Sequence, residues 1–211
     1  MKKKFKKIII LGKSKKFIIG IKKYYNFNNL KIVPWRRIIN YKPNINEAYD
    51  LIFVCGFDFS AYHKNLDYFI KVNINHPIKL IKKISRKNTQ IIYINTQNIN
   101  KKNFTLSRYN FAKQQLGYQI SKNFKNIAIL KTDLILDKNK ISIHSNYASK
   151  IVFLLLVKLK IIKTIEVKKI FIEINKLLNT TSHQAQKNML GFLLKIPRTQ
   201  FIDRFIRFLI G

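Results

Sequence analysis

Five short apolar runs, each followed by a stretch of helical period or by a turn, constrain this chain more than any other feature. Lys7 to Leu11, Leu30 to Val33, Leu51 to Cys55, Gln90 to Ile94 and Asn126 to Lys131 are rich in Ile and Val and carry apolar residues at nearly consecutive positions. A strand with one wet face alternates apolar and polar residues. A continuous run belongs to a strand covered on both faces, as in a parallel sheet flanked by helices. The succession predicts an α/β chain built on a doubly wound parallel sheet with helices on both faces. In such sheets ligands lie beyond the carboxyl ends of the strands, where Gly12, Gly56, Thr96 and Lys131 all fall.

The first run ends at Gly12, and an apolar-periodic segment through Phe17, Ile18 and Gly20 reaches Tyr25. A strand, a glycine turn and a helix N-terminus together make a place for a pyrophosphate, because free N–H groups and the helix dipole favour anions. The glycine spacing is unusual, however. A dinucleotide fingerprint uses three glycines, whereas here the middle one is absent and Gly12 and Gly20 stand well apart. At the end of the second run, where an NAD site places an acid on the ribose hydroxyls, the chain has Arg36 and Arg37. Two readings stay open there: a seat for a 2′-phosphate, or two surface arginines. Pro77 marks a kink or restart in the helical region that runs to Lys83. From Asn146 the pattern becomes helical over Ser149 to Leu159 and Ile165 to Leu178. Residues 1–145 are therefore expected to form the nucleotide-binding domain, with 146–211 a short helical extension packed on it.

Composition removes several classes of function. The net charge of +33 would ordinarily point to nucleic acid or an anionic membrane. The lysines are spread evenly with no basic arm, the pattern of an AT-rich coding bias, so no nucleic-acid partner is expected. The single Cys55 excludes an internal disulfide and suits a reducing compartment. His63, His76, His144 and His183 lack metal-ligand spacing, and no metal is expected. The basic start breaks at Gly12 without a small-residue cleavage site, so a cytoplasmic location is expected. The tail Arg198 to Gly211 is amphipathic. It suits an anionic membrane surface, its own domain or a second subunit.

Tyr109 and Lys113 are four residues apart in a helical stretch, which puts phenol and ammonium on one face, one turn apart. A cation beside a tyrosine stabilises the phenolate and makes the group a usable acid or base. Thr96, at the end of the preceding strand, adds a hydroxyl for a substrate oxygen. Tyr118 and Lys122 repeat the spacing but point to the opposite side of the same helix.

Taken in order, these pieces resemble the short-chain dehydrogenase/reductase superfamily, most closely its extended and atypical epimerase, dehydratase and reductase branch. The resemblance runs from about Lys7 to Asp137. It rests on the glycine turn with Phe17-Ile18, on Asp50-Leu51-Ile52-Phe53-Val54-Cys55-Gly56, on Val72-Asn73-Ile74, on Ile92-Tyr93-Ile94-Asn95-Thr96 and on Tyr109-x-x-x-Lys113. It implies a Rossmann-like domain that binds NADP or NAD through Gly12, Ser14, Phe17, Ile18, Gly20, Arg36, Arg37, Cys55, Gly56 and Lys113. It makes Tyr109 the catalytic acid/base, Lys113 its partner and a ribose ligand, Thr96 the hydroxyl that orients the substrate, and Asn73 a support for proton relay. The implied substrate is a sugar or nucleotide-sugar. The region after the fifth strand is shorter than in extended members, so a second subunit completing the pocket, as a homodimer, is among the arrangements left open. Two alternative functions stand beside this one: a catalytically degenerate binding or regulatory protein on the same fold, and a basic protein that binds an anionic membrane surface or nucleic acid through its charge and tail.

Overall fold

The computed structural model describes residues 3–44, 46–95, 108–132, 134–137, 140–141, 151, 154–155, 158–159, 164–179 and 184–189. Six parallel strands form the main sheet: β1 (Lys3–Leu11), β2 (Tyr25–Val33), β3 (Leu51–Val54), β4 (Gln90–Asn95), β5 (Ile127–Thr132) and β9 (Gln184–Met189), in the order β2-β1-β3-β4-β5-β9. All five pairings are parallel. Between them run α1 (Lys15–Tyr24), α2 (Leu66–Ile70), α3 (His76–Ile84), α4 (Arg108–Asn123) and α5 (Val167–Asn179). A small second sheet joins β6 (Leu134–Asp137), β7 (Lys140–Ile141) and β8 (Thr164–Glu166).

Four of the five apolar runs have the cause inferred for them; the fifth, Leu30 to Val33, lies on the edge strand β2, which is only partly covered. Ile8, Ile10, Phe53, Ile92 and Leu130 face a layer made by Phe17 and Ile21 of α1 with Ile170, Phe171, Ile174 and Leu178 of α5. Their neighbours Ile9, Leu11, Ile52, Val54, Ile91 and Ile129 face Ile81 and Ile84 of α3 and Leu116 and Ile120 of α4. Successive side chains of a strand point to opposite faces, so both parities must be apolar when both faces are covered.

Three expectations need correction. Thr164–Glu166, placed partly inside a helix, is a strand, and the helix begins at Val167. The region after residue 146 is therefore not purely helical: β9 adds to the main sheet beside β5. Its sequence, Gln-Ala-Gln-Lys-Asn-Met, has no β-branched residue and no apolar run, so backbone pairing along one edge accounts for it and pattern does not. The long helical stretch before Lys83 is also not one regular α-helix: a separate 3₁₀ turn (Phe59–His63) precedes it, and helical backbone then runs from Leu66 to Ile84 through α2, a π-turn (Lys71–Asn75) and α3, with Pro77 just after the π-turn. The tail from Arg198 and the candidate Thr96 lie outside the described residues.

Candidate active site at the sheet's switch point

From β1 the chain crosses to β2 on one side, and β3 then lies on the other side of β1. The carboxyl ends of β1 and β3 therefore flank the topological switch point, where a crevice opens in folds of this kind. Gly12 ends β1 with φ at +130°, a conformation that side chains resist, and a Cβ there would lie 2.7 Å from the Gly56 nitrogen. The Ser14 N–H donates to the Cys55 thiol. Burial pushes that thiol up to about 12, although Lys113 and the Ser14 N–H pull the other way. The thiol stays protonated and acts as a packing group.

Lys113, on α4, lies at the carboxyl ends of β3 and β4. It is 5% exposed, and its Nζ donates to the carbonyl oxygens of Gly56 at 3.3 Å and Ile94 at 3.4 Å. Both bonds are long for an ammonium. Burial accordingly lowers its pKa to about 8, with Cys55 acting weakly in the opposite direction. Tyr93 lies beneath it: its hydroxyl donates to the Lys113 carbonyl at 2.8 Å, and the ammonium is 5.4 Å from its ring centroid. Lys122, from the repeated spacing, is exposed. Burial distinguishes the two pairs.

Tyr109 is half-buried one turn before Lys113. Its ring meets Phe57 edge-on at 4.7 Å and stacks on Phe59 at 5.6 Å. Its proximity to Tyr93, together with burial as the larger cause, raises the Tyr93 phenol well above its ordinary range. Asn73 is buried and spends its side chain on structure: Oδ1 accepts from Trp35 Nε1 at 3.0 Å and from the Asp58 N–H at 2.8 Å, and Nδ2 donates to the Asp58 carbonyl. The structure thus brings together Gly12, Ser14, Cys55, Gly56 and Lys113, with Tyr109 one turn away. Phe17 and Gly20 are elsewhere, in the core against Phe171, and Ile18 packs against that layer from its edge.

Trp35, Phe57, Asp58 and Phe59 escaped the sequence reading. The Trp35 ring lies against Gly56, where a Cβ would come within 2.3 Å of it. Asp58 is 5% exposed and receives Ser60 N–H, the Ser60 hydroxyl and Arg36 Nε on one oxygen. The signal available was Asp58-Phe59-Ser60, a short cap-and-turn pattern. Arg36 is thereby tied at 3.2 Å while most of its side chain stays in solvent, and Arg37 is exposed beside it.

The donor set suits an anion. The α1 N-cap, Ser14, makes no side-chain cap, the first turn contains no acid, and Lys13 and Lys15 are exposed around it. The N-terminus of α1 follows the Gly12 turn, close to Cys55 and Gly56. Arg36 and Arg37 stand just after the end of β2, and Lys113 lies at the carboxyl ends of β3 and β4, so the groups that would hold a dinucleotide's phosphates and ribose are basic. Among the described residues no group of His, Cys, Asp or Glu could hold a metal, and no helix is long and apolar enough to cross a membrane.

These features define a doubly wound, nucleotide-binding type of sheet with a tyrosine and lysine on the helix after its fourth strand. No protein-family model and no curated protein matches the sequence. Solved structures do match in three dimensions. The Bordetella bronchiseptica enzyme WbmG in complex with NAD superposes with a TM-score of 0.60 at 7% identity, over 88% of this chain and 72% of that one. For dTDP-4-dehydrorhamnose reductase from Bacillus anthracis, in complex with NADP, the TM-score is 0.55 at 13% identity, over 91% and 76%. A short-chain dehydrogenase/reductase superfamily protein from Agrobacterium tumefaciens with bound NAD gives 0.57 at 9%, over 86% and 76%. The resemblance drawn from the motifs thus extends to the fold, which this chain shares with short-chain dehydrogenase/reductase proteins.

Proposed function

We propose that the protein is an NAD(P)-dependent oxidoreductase or epimerase of the short-chain dehydrogenase type, acting on a sugar or nucleotide-sugar. The observation that carries this reading is Lys113: a buried ammonium at the joined ends of β3 and β4, one turn after Tyr109 and beside the β1 turn. A charge in that position costs stability, and a role in binding a ribose and tuning a phenol gives it a reason to be there. Bound dinucleotide would supply hydride transfer. Tyr109 would move the proton at the substrate oxygen, with Thr96 orienting that oxygen. The anionic end would rest on the α1 N-terminus, and Arg36 with Arg37, in place of an acid, favours NADP over NAD. The sugar assignment draws support from the neighbours: WbmG has also been solved with NAD and UDP together.

Titration of the protein with NADPH and NADH, followed by nicotinamide fluorescence, tests the reading. Binding of neither at millimolar concentration would sink it. With cofactor bound, Tyr109→Phe should abolish turnover of the UDP- or dTDP-sugar that the wild type accepts, and leave cofactor affinity within about twofold.

A second reading, a binding protein on a degenerate version of this fold, draws on one specific observation. Trp35 is packed against Gly56, and Gly12 lies against the same glycine, so the protein's own atoms occupy the close approaches that these glycines allow. Cofactor affinity decides between the two readings.

A further inference from the structure

Resting on the enzyme reading above, we propose that the loop Gly56 to Ser60 is a positioning clamp for Tyr109, with Phe57 and Phe59 as its jaws and Asp58 as its anchor. Phe57 meets the phenol ring edge-on and Phe59 stacks almost parallel to it, with 14° between planes, while the two phenylalanines touch each other at 4.9 Å. Edge and face contacts together restrict both tilt and rotation of the ring. Phe57 is braced from behind by Phe69.

The residue between the jaws is fixed at every polar atom that the contacts reach. Asp58 gives its N–H to Asn73 and takes a bond from Asn73 in return. Its Oδ1 accepts from Ser60 twice and from Arg36 once. Phe59 therefore stands between two residues held to each other, and Asn73 ties them to Trp35. The helix that carries the phenol is fastened to the continuation of the same loop, since Arg108 Nη1 donates to the carbonyls of Tyr62 at 3.0 Å and Lys64 at 2.9 Å. Clamp and phenol are thus held to one frame from both sides.

Phe59 is 41% exposed, so its ring contributes little to the core, and it makes ring contacts with Phe57 and Tyr109. Holding Tyr109 gives that ring a role, because an acid/base tyrosine must present its hydroxyl within a fraction of an ångström of the reacting oxygen. Neither phenylalanine touches the hydroxyl chemistry. Both act through the ring.

The full-length protein labelled with ¹³C at tyrosine Cζ tests this, the Tyr109 signal being assigned with Tyr109→Phe. In Phe59→Ala, a surface change that leaves the core intact, the Tyr109 titration midpoint should move by about half a pH unit or more, and its line shape should report freer ring motion. Asp58→Ala should do the same without touching the ring, and Phe59→Tyr should restore wild-type behaviour. An unchanged Tyr109 signal in Phe59→Ala overturns the clamp, and a change in Phe59→Ala with none in Asp58→Ala overturns the anchor. NADPH titration of the same wild-type sample separates the two levels. Failure to bind removes the enzyme reading and leaves the clamp to be judged on the tyrosine signal. Where turnover is found, Phe59→Ala should lower kcat roughly tenfold with KM little changed.

Discussion

The two faces of the sheet solve one packing problem with different materials. Under α1 and α5 the layer is nearly all hydrocarbon, centred on Phe171, whose ring fills the notch left by Gly20 and touches Phe17, Tyr24, Tyr25 and Phe53. Under α3 and α4 the layer includes Trp35, Tyr49 and Tyr93, and around it lie the buried polar groups of Asn73 and Lys113. The first face is built for stability. The second accepts buried polar groups whose hydrogen bonds must all be met, and the candidate site is on that face. The division is not absolute: on the hydrocarbon side the Tyr25 hydroxyl, Thr132 Oγ1 and Asn175 Oδ1 are buried without a hydrogen-bond partner, and burial raises the Tyr25 pKa.

The largest effect should come from the apolar face. Phe171→Ala should cost about 4 kcal/mol in chemical denaturation, since it removes a fully buried ring contacted by four others. A loss below 1 kcal/mol would mean the α1/α5 layer is not the stabilising one.

Lys113→Met should move stability the other way while abolishing turnover. In the folded protein the amine titrates near 8, against an ordinary 10.5. Below pH 8 it is charged in both states and the burial penalty is fully present. Between 8 and 10.5 the unfolded chain holds more protons, so stability rises with pH, by about 3 kcal/mol over the window. Relative to wild type, Lys113→Met should be more stable at pH 7 by a similar amount and should lack that rise. If wild type and Lys113→Met follow the same curve from pH 7 to 11, the buried ammonium is not the cost assigned to it.

Asn73→Leu should lose about 2 kcal/mol, because Trp35 Nε1 and the Asp58 N–H are left buried without an acceptor. The same substitution should leave the α1/α5 layer unchanged, as amide hydrogen exchange along α5 can check.

The smallest effect lies beyond β2, in a knot that sequence reading did not anticipate. Burial alone would raise the Glu47 carboxyl, but Lys31, Tyr41, Tyr49 and the Asn44 N–H all donate to it and hold it at about 2. The stability it supplies is fully present above pH 4.5 and lost as pH falls through 2. Glu47→Gln should flatten the acid limb of the stability curve between those values and cost about 1 kcal/mol at pH 7.

How much of this was legible follows from range along the chain. Strands β1, β3, β4 and β5 were read within a few residues because each carries its own apolar run, whereas β2, a largely uncovered edge strand, begins at Tyr25, well before the Leu30 run that marked it. The Tyr109 helix, and the face shared by Tyr109 and Lys113, followed from local spacing. What escaped depends on partners distant in sequence. Asp58 finds Arg36, Asn73 finds Trp35 and Gly20 finds Phe171, and none of these pairs leaves a local pattern. Gly20 shows the hazard most clearly. Its position invited a phosphate-binding role, whereas the space it leaves is filled by a ring from a helix some 150 residues later.

Trp35 is the single tryptophan of the chain, and it is buried against Gly56, just past the end of β3, with its indole N–H bonded to Asn73. The molecule therefore carries an optical gauge at the place where a ligand's arrival is in question. Selective excitation of one indole reads that site alone, against a background of tyrosines that do not absorb at the red edge. A reduced nicotinamide within reach would quench it by energy transfer, and an oxidised one would displace its emission without transfer. Occupancy of the crevice, and the redox state of what occupies it, can thus be followed in the unlabelled protein.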